Sequence, residues 1–286
     1  MSIAFLSVPF PGVRRIGEEG QKLGLWTFVL LQGPNIKLPP VDIFILGAWS
    51  ESYEHLLGAL LPSRVWVCIS SSAGEMDMEP VEIGYLQHIL QDPRIEKVWF
   101  GDESLAQVYP EKGFYAPYPL STDIKLYTGP KRDAIALFNP GGLKKNNLNQ
   151  ILAVALFLKS HPGWVLETNV ANYEPVMKSL GIKYRLHPWL PTKDYLHLVG
   201  SCKINMAVSW AETNNYQVAE AGLLGVPSII SSTVPFPGYS AKPNDPLHIV
   251  KAIEHAASEA RDIPSMVRRN LLEKNTQLQT ILAAHR

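Results

Sequence analysis

The chain has 286 residues, and its 26 basic and 26 acidic side chains give a formal net charge of zero. Hydrophobic residues make up 46% and charged residues 18%, which excludes a disordered chain and suits one large domain or two modest ones. Zero net charge also disfavours a protein that mainly holds nucleic-acid phosphates, because such proteins usually show a basic footprint.

Short apolar runs alternate with helical stretches along the first half of the chain. The runs predict strands at Ile3–Val8, Trp26–Leu31, Ile43–Leu46, Val65–Ser70, Lys97–Phe100 and Phe114–Ala116. The stretches between them predict helices at Ser52–Leu60, Pro80–Gln91 and Ser104–Tyr109.

The same alternation continues in the second half. Strands are predicted at Ala134–Phe138, Trp164–Glu167, Tyr184–Leu186, Ile204–Val208 and Ser228–Ile230. Helices are predicted at Leu148–Lys159, Tyr173–Leu180, Thr192–Leu198, Tyr216–Leu224, Pro246–Ser258 and Pro264–Ala284. The strand runs are continuously apolar, as expected for parallel strands covered on both faces, so the pattern predicts an α/β protein with doubly wound sheets.

Residues 116–133 are rich in proline, glycine and charge and predict a linker between two domains. We therefore expect an N-terminal domain of residues 1–122 and a C-terminal domain of residues 123–286, with a final helix from about residue 264 that packs back on the first. Residues 1–125 hold 9 basic and 15 acidic side chains, whereas residues 126–286 hold 17 and 11. This opposite charge, −6 against +6, is either chance or a sign that the second half handles an anion.

Cysteine usage and hydropathy indicate where the protein works. Cys68 and Cys202 lie far apart and form no CxxC motif, so a disulfide framework and a cysteine-rich zinc site are both disfavoured. The apolar start, Met1 to Val8, is too short for a signal peptide, and no run approaches the ~20 residues of a membrane span. We expect a cytoplasmic protein without a transmembrane segment, with peripheral membrane contact left open.

The most informative segment runs from Trp210 to Pro227. An apolar strand leads into a short polar loop, and a helix begins near Asn214 or Asn215, residue types that cap helix N-termini. The unpaired backbone amides of such a first turn form a seat for a phosphate. Glu212 and Glu220 are eight positions apart and can accept hydrogen bonds from different hydroxyls of one extended ligand. Taken alone, such a pair is more typical of solvated acids.

This segment resembles the signature of the retaining GT-B glycosyltransferases of the family 4 group, which has Glu-x7-Glu followed by Ala and by Gly-x-Pro. Three further stretches match in the family's order. They are the interdomain stretch at Ala116–Asp123, the donor-phosphate loop at Leu137–Asn146, and the turn beside the nucleotide base at Leu186–Pro191, which Tyr195 follows. The resemblance covers about residues 116–258 well and the first 115 in outline. It implies a GT-B fold of two doubly wound, Rossmann-like domains that face a cleft, the first towards the acceptor and the second towards the donor.

The resemblance also implies a function and a set of site residues. We expect a metal-independent enzyme that transfers a sugar from a nucleoside-diphosphate sugar to a carbohydrate or other hydroxyl acceptor with retention of configuration. The donor is expected to be a UDP-sugar, with a GDP-sugar as the alternative, and no cofactor is expected. The predicted catalytic residues are Glu212, which would bind the transferred sugar, and Lys145, which would stabilise the leaving diphosphate. The predicted donor-binding residues are Glu220 for the ribose, together with Lys144, Gly142, Asn214, Asn215, Tyr216, Gly12, His187 and Trp189. Gly12 follows the first strand, where the family has a glycine-containing loop against the donor phosphates.

The sequence departs from the family pattern at two places. The family usually has an arginine upstream of the phosphate lysine, where this chain has Gly142, and Lys144 would stand in as a point charge without the planar fork. Many relatives also carry a histidine after the fourth strand of the first domain, whereas residues 69–74 contain none.

Several other functions are disfavoured. The chain contains no Asp-x-Asp metal motif, no Gly-x-Gly-x-x-Gly after the first strand and no Gly-x-Ser-x-Gly elbow. A nucleic-acid acceptor is disfavoured by the negative first half, because a phosphate backbone needs cations. Two alternatives remain, a nucleotide-sugar epimerase on the same fold and a catalytically degenerate GT-B binding module. Trp26 and Trp49 would either stack on a sugar acceptor or, as is commoner for aromatic residues, lie in the core.

Overall fold

The computed structural model describes residues 2–32, 36–48, 51–139, 142–259 and 261–285. The chain divides into two compact units, one made of Met1–Ser121 with Leu271–Arg286 and the other of Thr122–Asn270. Each unit contains one six-stranded parallel sheet whose strands are connected through helices. The predicted α/β class with two Rossmann-like sheets is confirmed.

The first unit is built around a sheet with the strand order β2-β1-β3-β4-β5-β6. Its strands are β1 (Ile3–Ser7), β2 (Thr27–Leu30), β3 (Ile43–Gly47), β4 (Arg64–Ile69), β5 (Lys97–Phe100) and β6 (Gly113–Tyr115). Its helices are α1 (Pro11–Lys22), α2 (Glu51–Leu60), α3 (Ala73–Met78), α4 (Val81–Gln91) and α5 (Glu103–Val108).

The second unit has the strand order β12-β11-β10-β7-β8-β9. Its strands are β7 (Arg132–Leu137), β8 (Val165–Thr168), β9 (Tyr184–Leu186), β10 (Cys202–Ala207), β11 (Ser228–Ile230) and β12 (Tyr239–Ser240). Its helices are α6 (Asn147–Ser160), α7 (Glu174–Ser179), α8 (Thr192–Ser201), α9 (Tyr216–Leu223) and α10 (Pro246–Ser258), with 3₁₀ turns at Leu143–Lys145 and Ala171–Tyr173. Helix α11 (Ile263–Ala284) begins in this unit and ends in the first.

The order of the strands determines where a ligand fits in the second unit. From β7 the chain proceeds to β8 and β9 on one side, and then returns to place β10, β11 and β12 on the other. In open parallel sheets, ligands bind at the carboxyl ends of the strands where the order reverses in this way. A ligand is therefore expected to bind at the loops that follow β7 and β10.

Three elements of the structure were not predicted from the sequence, namely α1, α3 and the two-residue strand β12. Helix α1 begins where the sequence suggested a loop, because Pro11 occupies its first turn, a position that proline favours. Helix α3 begins with a capping box, in which the Ser72 hydroxyl accepts a hydrogen bond from the backbone N–H of Glu75. Helix α3 and strand β12 are short, and on the buried face of α1 only Val13 and Ile16 carry large apolar side chains.

Trp26 belongs to the core of the first unit. The residue is 6% exposed, and its ring stacks on Phe5 with ring centroids 5.3 Å apart and donates from Nε1 to the carbonyl of Gly17 at 2.9 Å. The hypothesis that Trp26 stacks on a sugar acceptor is therefore wrong, because its ring is covered and its N–H is already paired. Trp49, the other tryptophan considered for that role, lies outside the described residues.

The first part of the predicted linker is packed into the first unit. The carbonyl of Ala116 accepts a hydrogen bond from Trp99 Nε1 at 2.7 Å, and the Tyr118 hydroxyl donates to the carbonyl of Ile69 at 2.5 Å. The side-chain amide of Asn275 on α11 donates to the carbonyl of Leu120 at 2.9 Å and accepts from its N–H at 3.3 Å. These contacts fix the point at which the chain leaves the first unit.

Among the described helices, none combines the length and the apolar character that crossing a membrane requires.

The packing of α1 gives a test of the fold. A Cβ atom at Gly20 would lie 1.9 Å from the ring of Trp26, which Phe5 holds in place. We expect Gly20→Ala to lower the free energy of unfolding by about 1–3 kcal/mol, because an overpacked core must shift. Urea denaturation measures the change. The matched control is Gly84→Ala on α4, where a Cβ meets nothing within 4 Å, and which should be neutral or stabilising by up to about 1 kcal/mol. A loss of stability in the control as large as that in Gly20→Ala would contradict the packing explanation.

Candidate active site

The loop after β7 places two lysines at the reversal of the strand order. Gly142 precedes the 3₁₀ turn that contains Lys144 and Lys145, and the turn ends at Asn146, whose φ of 54° is left-handed. Asparagine tolerates this conformation better than most residues. The left-handed backbone at Asn146 is followed directly by α6, which begins at Asn147. Gly142 is exposed, and a Cβ there would meet nothing within 4 Å. Pro140 and Gly141, which belong to the predicted phosphate loop, lie outside the described residues.

The loop after β10 leads into α9 as the sequence predicts. Asn215 caps the helix, and its side-chain oxygen accepts a hydrogen bond from the N–H of Val218 at 3.2 Å. Gly225 follows the end of the helix with a φ of +77°, a conformation that glycine adopts without strain. The N-terminal turn of α9 therefore opens at the carboxyl edge of the sheet, where Asn214, Asn215 and Tyr216 were predicted to lie.

A set of buried amides joins the two loops. Gln150 is fully buried in α6, donates to the carbonyl of Lys145 at 2.8 Å and accepts from the N–H of Val208 at 3.0 Å. Asn146 donates to the carbonyl of Val208 at 3.0 Å, and the N–H of Trp210 donates to the carbonyl of Lys144 at 2.8 Å. The loops after β7 and β10 are therefore fixed to each other through both side chains and backbone.

Sequence reasoning missed Gln150. Gln150 follows Asn147 and Asn149 in the polar first turn of α6, and the available signal was its spacing of four and seven positions from Val154 and Phe157, which lie on the same face and are buried. An uncharged polar residue at such a position indicates a buried hydrogen-bonding role, but it does not indicate the partner.

The network brings the two predicted catalytic residues into contact. Lys145 Nζ donates to Glu212 Oε1 at 2.5 Å, and the same oxygen accepts from Ser209 Oγ at 2.9 Å and Asn215 Nδ2 at 3.2 Å. The Glu212 side chain is 3% exposed and that of Lys145 is 20% exposed. A carboxylate this deeply buried needs such partners, because isolated charge is costly away from water. The residues lie 67 positions apart in the sequence and meet through the adjacent strands β7 and β10.

Two amide atoms on residues close in sequence to this ion pair are buried without a hydrogen-bond partner in the described part of the chain. They are Nδ2 of Asn214, ahead of α9, and Oδ1 of Asn147, in the first turn of α6. An unpaired buried polar group costs roughly 1–3 kcal/mol, so native proteins contain few of them. Asn214 belongs to the segment that was predicted to hold a ligand, and Asn147 directly follows the predicted donor-phosphate loop, which ends at Asn146.

Glu220 lies inside α9, on the same helix that Asn215 caps. It is buried, with 7% of the residue exposed. A solvated helix acid is the ordinary alternative for this position, and burial excludes that alternative. Its predicted contact with a ribose stays a prediction.

The predicted base-side residues follow β9. The backbone N–H of His187 donates to the carbonyl of Thr168 at 2.8 Å, and its ring lies 5.8 Å from that of Phe138, which follows β7. Trp189, two residues on, is 72% exposed. An exposed indole therefore lies two residues along the chain from a partly buried imidazole, and the predicted contact of the two rings with a base stays a prediction.

Glu167 on β8 was not recognised from the sequence as part of this region. It is fully buried and accepts from His187 Nε2 at 2.7 Å, Arg132 Nη1 at 2.6 Å and Arg185 Nη1 at 2.7 Å. Burial raises the pKa of Glu167, but the hydrogen bonds from His187, Arg132 and Arg185 outweigh it and hold the pKa below its usual range. Glu167 is therefore a carboxylate at neutral pH.

The first unit places Gly12 differently from the sequence prediction. Gly12 was expected in a loop against the donor phosphates, whereas it lies in the first turn of α1. A Cβ at this position would meet nothing within 4 Å, so packing within the unit does not require glycine there. Arg14 and Arg15 on the same helix pair with Glu18 and Glu19 at 2.7 and 3.2 Å.

One cluster in the first unit has the composition of a metal site. The ligand atoms of Glu54, His88 and Asp92 lie within 4.8 Å of one another. Arg94 donates to Glu54 at 2.5 Å and to Asp92 at 2.6 Å, and its hydrogen bonds hold the pKa of both carboxyls below the usual range. An ion-pair network centred on Arg94 accounts for this cluster.

No model of a known protein family matches the sequence, and no curated protein matches it. Solved structures do match. A sucrose-phosphate synthase from Thermosynechococcus elongatus aligns with a TM-score of 0.70 and 12% identity over 100% of this chain and 97% of that chain. An α,α-trehalose-phosphate synthase (UDP-forming) from Burkholderia vietnamiensis aligns with a TM-score of 0.63 and 11% identity over 86% and 72%.

A trehalose-6-phosphate synthase, studied as an enzyme of glycosyl transfer with retention, aligns with a TM-score of 0.64 and 11% identity over 86% of this chain and 74% of that chain. All three enzymes are GT-B glycosyltransferases. At these identities the likeness concerns the fold. The chain has the GT-B fold, with two Rossmann-like parallel sheets.

The bridge formed by Gln150 predicts a stability effect. Gln150→Ala leaves the carbonyl of Lys145 and the N–H of Val208 without their buried partner. We expect the free energy of unfolding to fall by about 2–4 kcal/mol, since two buried polar groups lose their hydrogen bonds. Chemical denaturation measures this loss.

The matched control for this prediction is Gln107→Ala on α5, where the side chain is exposed and its bond to Glu103 is long, at 3.4 Å. Its effect should stay within about 0.5 kcal/mol. Equal effects of the two glutamine substitutions would show that the bridge does not hold the loops.

Proposed function

We propose that the protein is a glycosyltransferase that moves a sugar from a nucleoside-diphosphate sugar to a hydroxyl acceptor, with retention of configuration and without a metal ion. The observation that carries this proposal is the contact of Lys145 with Glu212 at the reversal between β7 and β10, beside the N-terminus of α9. This edge of the sheet combines a cation, a carboxylate that can only accept hydrogen bonds, and a helix N-terminus. Such a combination suits a ligand in which a sugar is joined to a diphosphate.

Lys145 suits the diphosphate side of such a donor. An ammonium group has three N–H donors, and one of them meets Glu212 in the described structure. The others would bind oxygens of the diphosphate and stabilise its negative charge as the bond to the sugar breaks. Lys144 and Gly142 would contribute to the same diphosphate-binding site. So would Asn214, Asn215 and Tyr216, which lie at the N-terminus of α9.

Glu212 and Glu220 suit the hydroxyl-bearing parts of the donor. Glu212 would bind hydroxyls of the transferred sugar, and Glu220 would bind the ribose. His187 and Trp189 would contact the base.

The reaction implied by the resemblance does not use Glu212 as a nucleophile. The bond between the anomeric carbon and the phosphate oxygen breaks, and the acceptor hydroxyl forms its bond to that carbon on the same face. The acceptor proton passes to an oxygen of the leaving diphosphate. Lys145 holds the leaving group in place during this exchange.

The donor is proposed to be a UDP-sugar, with GDP-sugar as the alternative. The description "UDP-forming" of one structural neighbour supports this choice, and the description of retention in another supports the stereochemistry. The acceptor is proposed to be a carbohydrate or another hydroxyl compound. The protein is proposed to act in the cytoplasm. We assign donor binding to the unit that contains Lys145 and Glu212, and acceptor binding to the other.

Donor binding is tested by calorimetry with UDP and GDP. We expect Lys145→Ala and Glu220→Ala each to weaken UDP binding by about tenfold or more, because each removes one charge-assisted hydrogen bond. The control is Lys203→Ala, which removes an exposed lysine of β10 that pairs with Asp133, and which should leave UDP affinity unchanged. Unchanged affinity in both test variants would contradict the proposed site. Thermal melting of each variant separates loss of binding from loss of folding.

Stereochemistry and metal independence are tested in one NMR experiment. With UDP-glucose as donor and an excess of chelator, we expect transfer at the same rate as without chelator, and a product with the anomeric configuration of the donor. An inverted product would rule out the retaining mechanism. Loss of all activity in chelator, restored by a divalent cation, would show that a metal ion is required.

A further inference from the structure

Glu167 is an unusual residue for the middle of a parallel sheet. It is a fully buried carboxylate on β8, and Arg132 and Arg185 both donate to its Oε1. Its other oxygen, Oε2, accepts from His187 Nε2 at 2.7 Å. The two arginines would compensate the buried charge by themselves, so the histidine at the second oxygen calls for a separate explanation.

The carboxylate determines which nitrogen of His187 carries a proton. A carboxylate can accept hydrogen bonds but cannot donate them, and hydrogen bonds hold the pKa of Glu167 below its usual range. His187 Nε2 must therefore be the donor. In the neutral imidazole, this leaves Nδ1 as a hydrogen-bond acceptor.

The acceptor atom lies at the edge where the proposed donor binds. His187 directly follows β9, and its ring packs near Phe138, which directly follows β7. The side chain is 21% exposed, and Nδ1 makes no hydrogen bond to a residue that the structure describes. The exposed indole of Trp189 lies two residues further along the chain.

We propose that Glu167 is a positioning residue for base selection, which holds His187 so that Nδ1 accepts a hydrogen bond from a ring N–H on the pairing edge of the base. Uracil and guanine have such an N–H, whereas cytosine and adenine have an acceptor nitrogen at the equivalent position. This inference rests on the proposed function, because it concerns the base of the same nucleoside-diphosphate donor. UDP and CDP are the sharpest probes, since they differ only in this edge of one pyrimidine.

The variant Glu167→Gln reverses the hydrogen bond without removing the side chain. The amide oxygen takes the place of Oε1, because both arginines donate to that position. The amide NH₂ group then faces His187, so Nε2 becomes the acceptor and the proton moves to Nδ1. His187 would now donate to the base, which suits the acceptor nitrogen of cytosine.

The test is isothermal calorimetry with UDP, CDP and GDP on the wild type and three variants. For the wild type we expect UDP to bind at least about tenfold more tightly than CDP, the ratio that one well-placed hydrogen bond supplies. Glu167→Gln should bring this ratio to about one or invert it, and His187→Ala should bring it to about one. Glu174→Gln on α7, whose carboxyl pairs with Lys178 and Tyr184, is the matched control and should keep the wild-type ratio. The GDP arm shows whether the preferred base with a ring N–H is uracil or guanine.

Three other outcomes of this experiment would overturn the proposed role of Glu167. A wild type that binds CDP as tightly as UDP, or a Glu167→Gln variant that melts like the wild type and keeps its ratio, would overturn the inference. So would an unchanged ratio in His187→Ala, which does not depend on how Glu167→Gln folds. Failure of the wild type to bind any of the three nucleotides would instead refute the proposed function, and the inference with it.

Discussion

The ion pair between Lys145 and Glu212 joins the two loops that form the proposed site in the second unit. Glu212 is buried, and three donors converge on one of its oxygens. The pair exists because β7 and β10 are neighbours and because Gln150 ties the loops that follow them. A charge at this depth is costly unless its partners are fixed, so the amide network and the ion pair depend on each other.

The edge of this sheet combines features that serve different parts of the proposed donor. Lys145 and the first turn of α9 favour negative charge, whereas the buried carboxylates Glu212 and Glu220 favour hydroxyl groups. His187 and Trp189 follow β9, which lies two strands away from β7 in the sheet, and they present an imidazole and an exposed indole. Phosphate, sugar and base would therefore be recognised by chemically distinct groups on one sheet edge.

Much of the second unit could be predicted from sequence because its signals are local. The cap at Asn215 and the left-handed Gly225 are short-range features that the pattern of Trp210–Pro227 contains in full. Helix α1 was missed because glycines take the place of large apolar side chains on much of its buried face, where only Val13 and Ile16 are large and apolar. Gly17 and Gly20 lie where the rings of Phe28 and Trp26 press against the helix, which requires the absence of a side chain.

The sequence by itself determined the α/β class, the order of the elements and the segment from Trp210 to Pro227 that bears the proposed chemistry, because periodicity and capping act over a few residues. Tertiary structure alone decided that Gln150 bridges two loops and that Glu167 holds His187. The partners of Gln150 lie on both sides of it in the chain, one of them 58 positions away, and those of Glu167 lie on three different segments. A buried polar residue can be recognised from its apolar neighbours, but its partner is set by which parallel strands lie side by side, and the register of those strands is a property of the whole sheet.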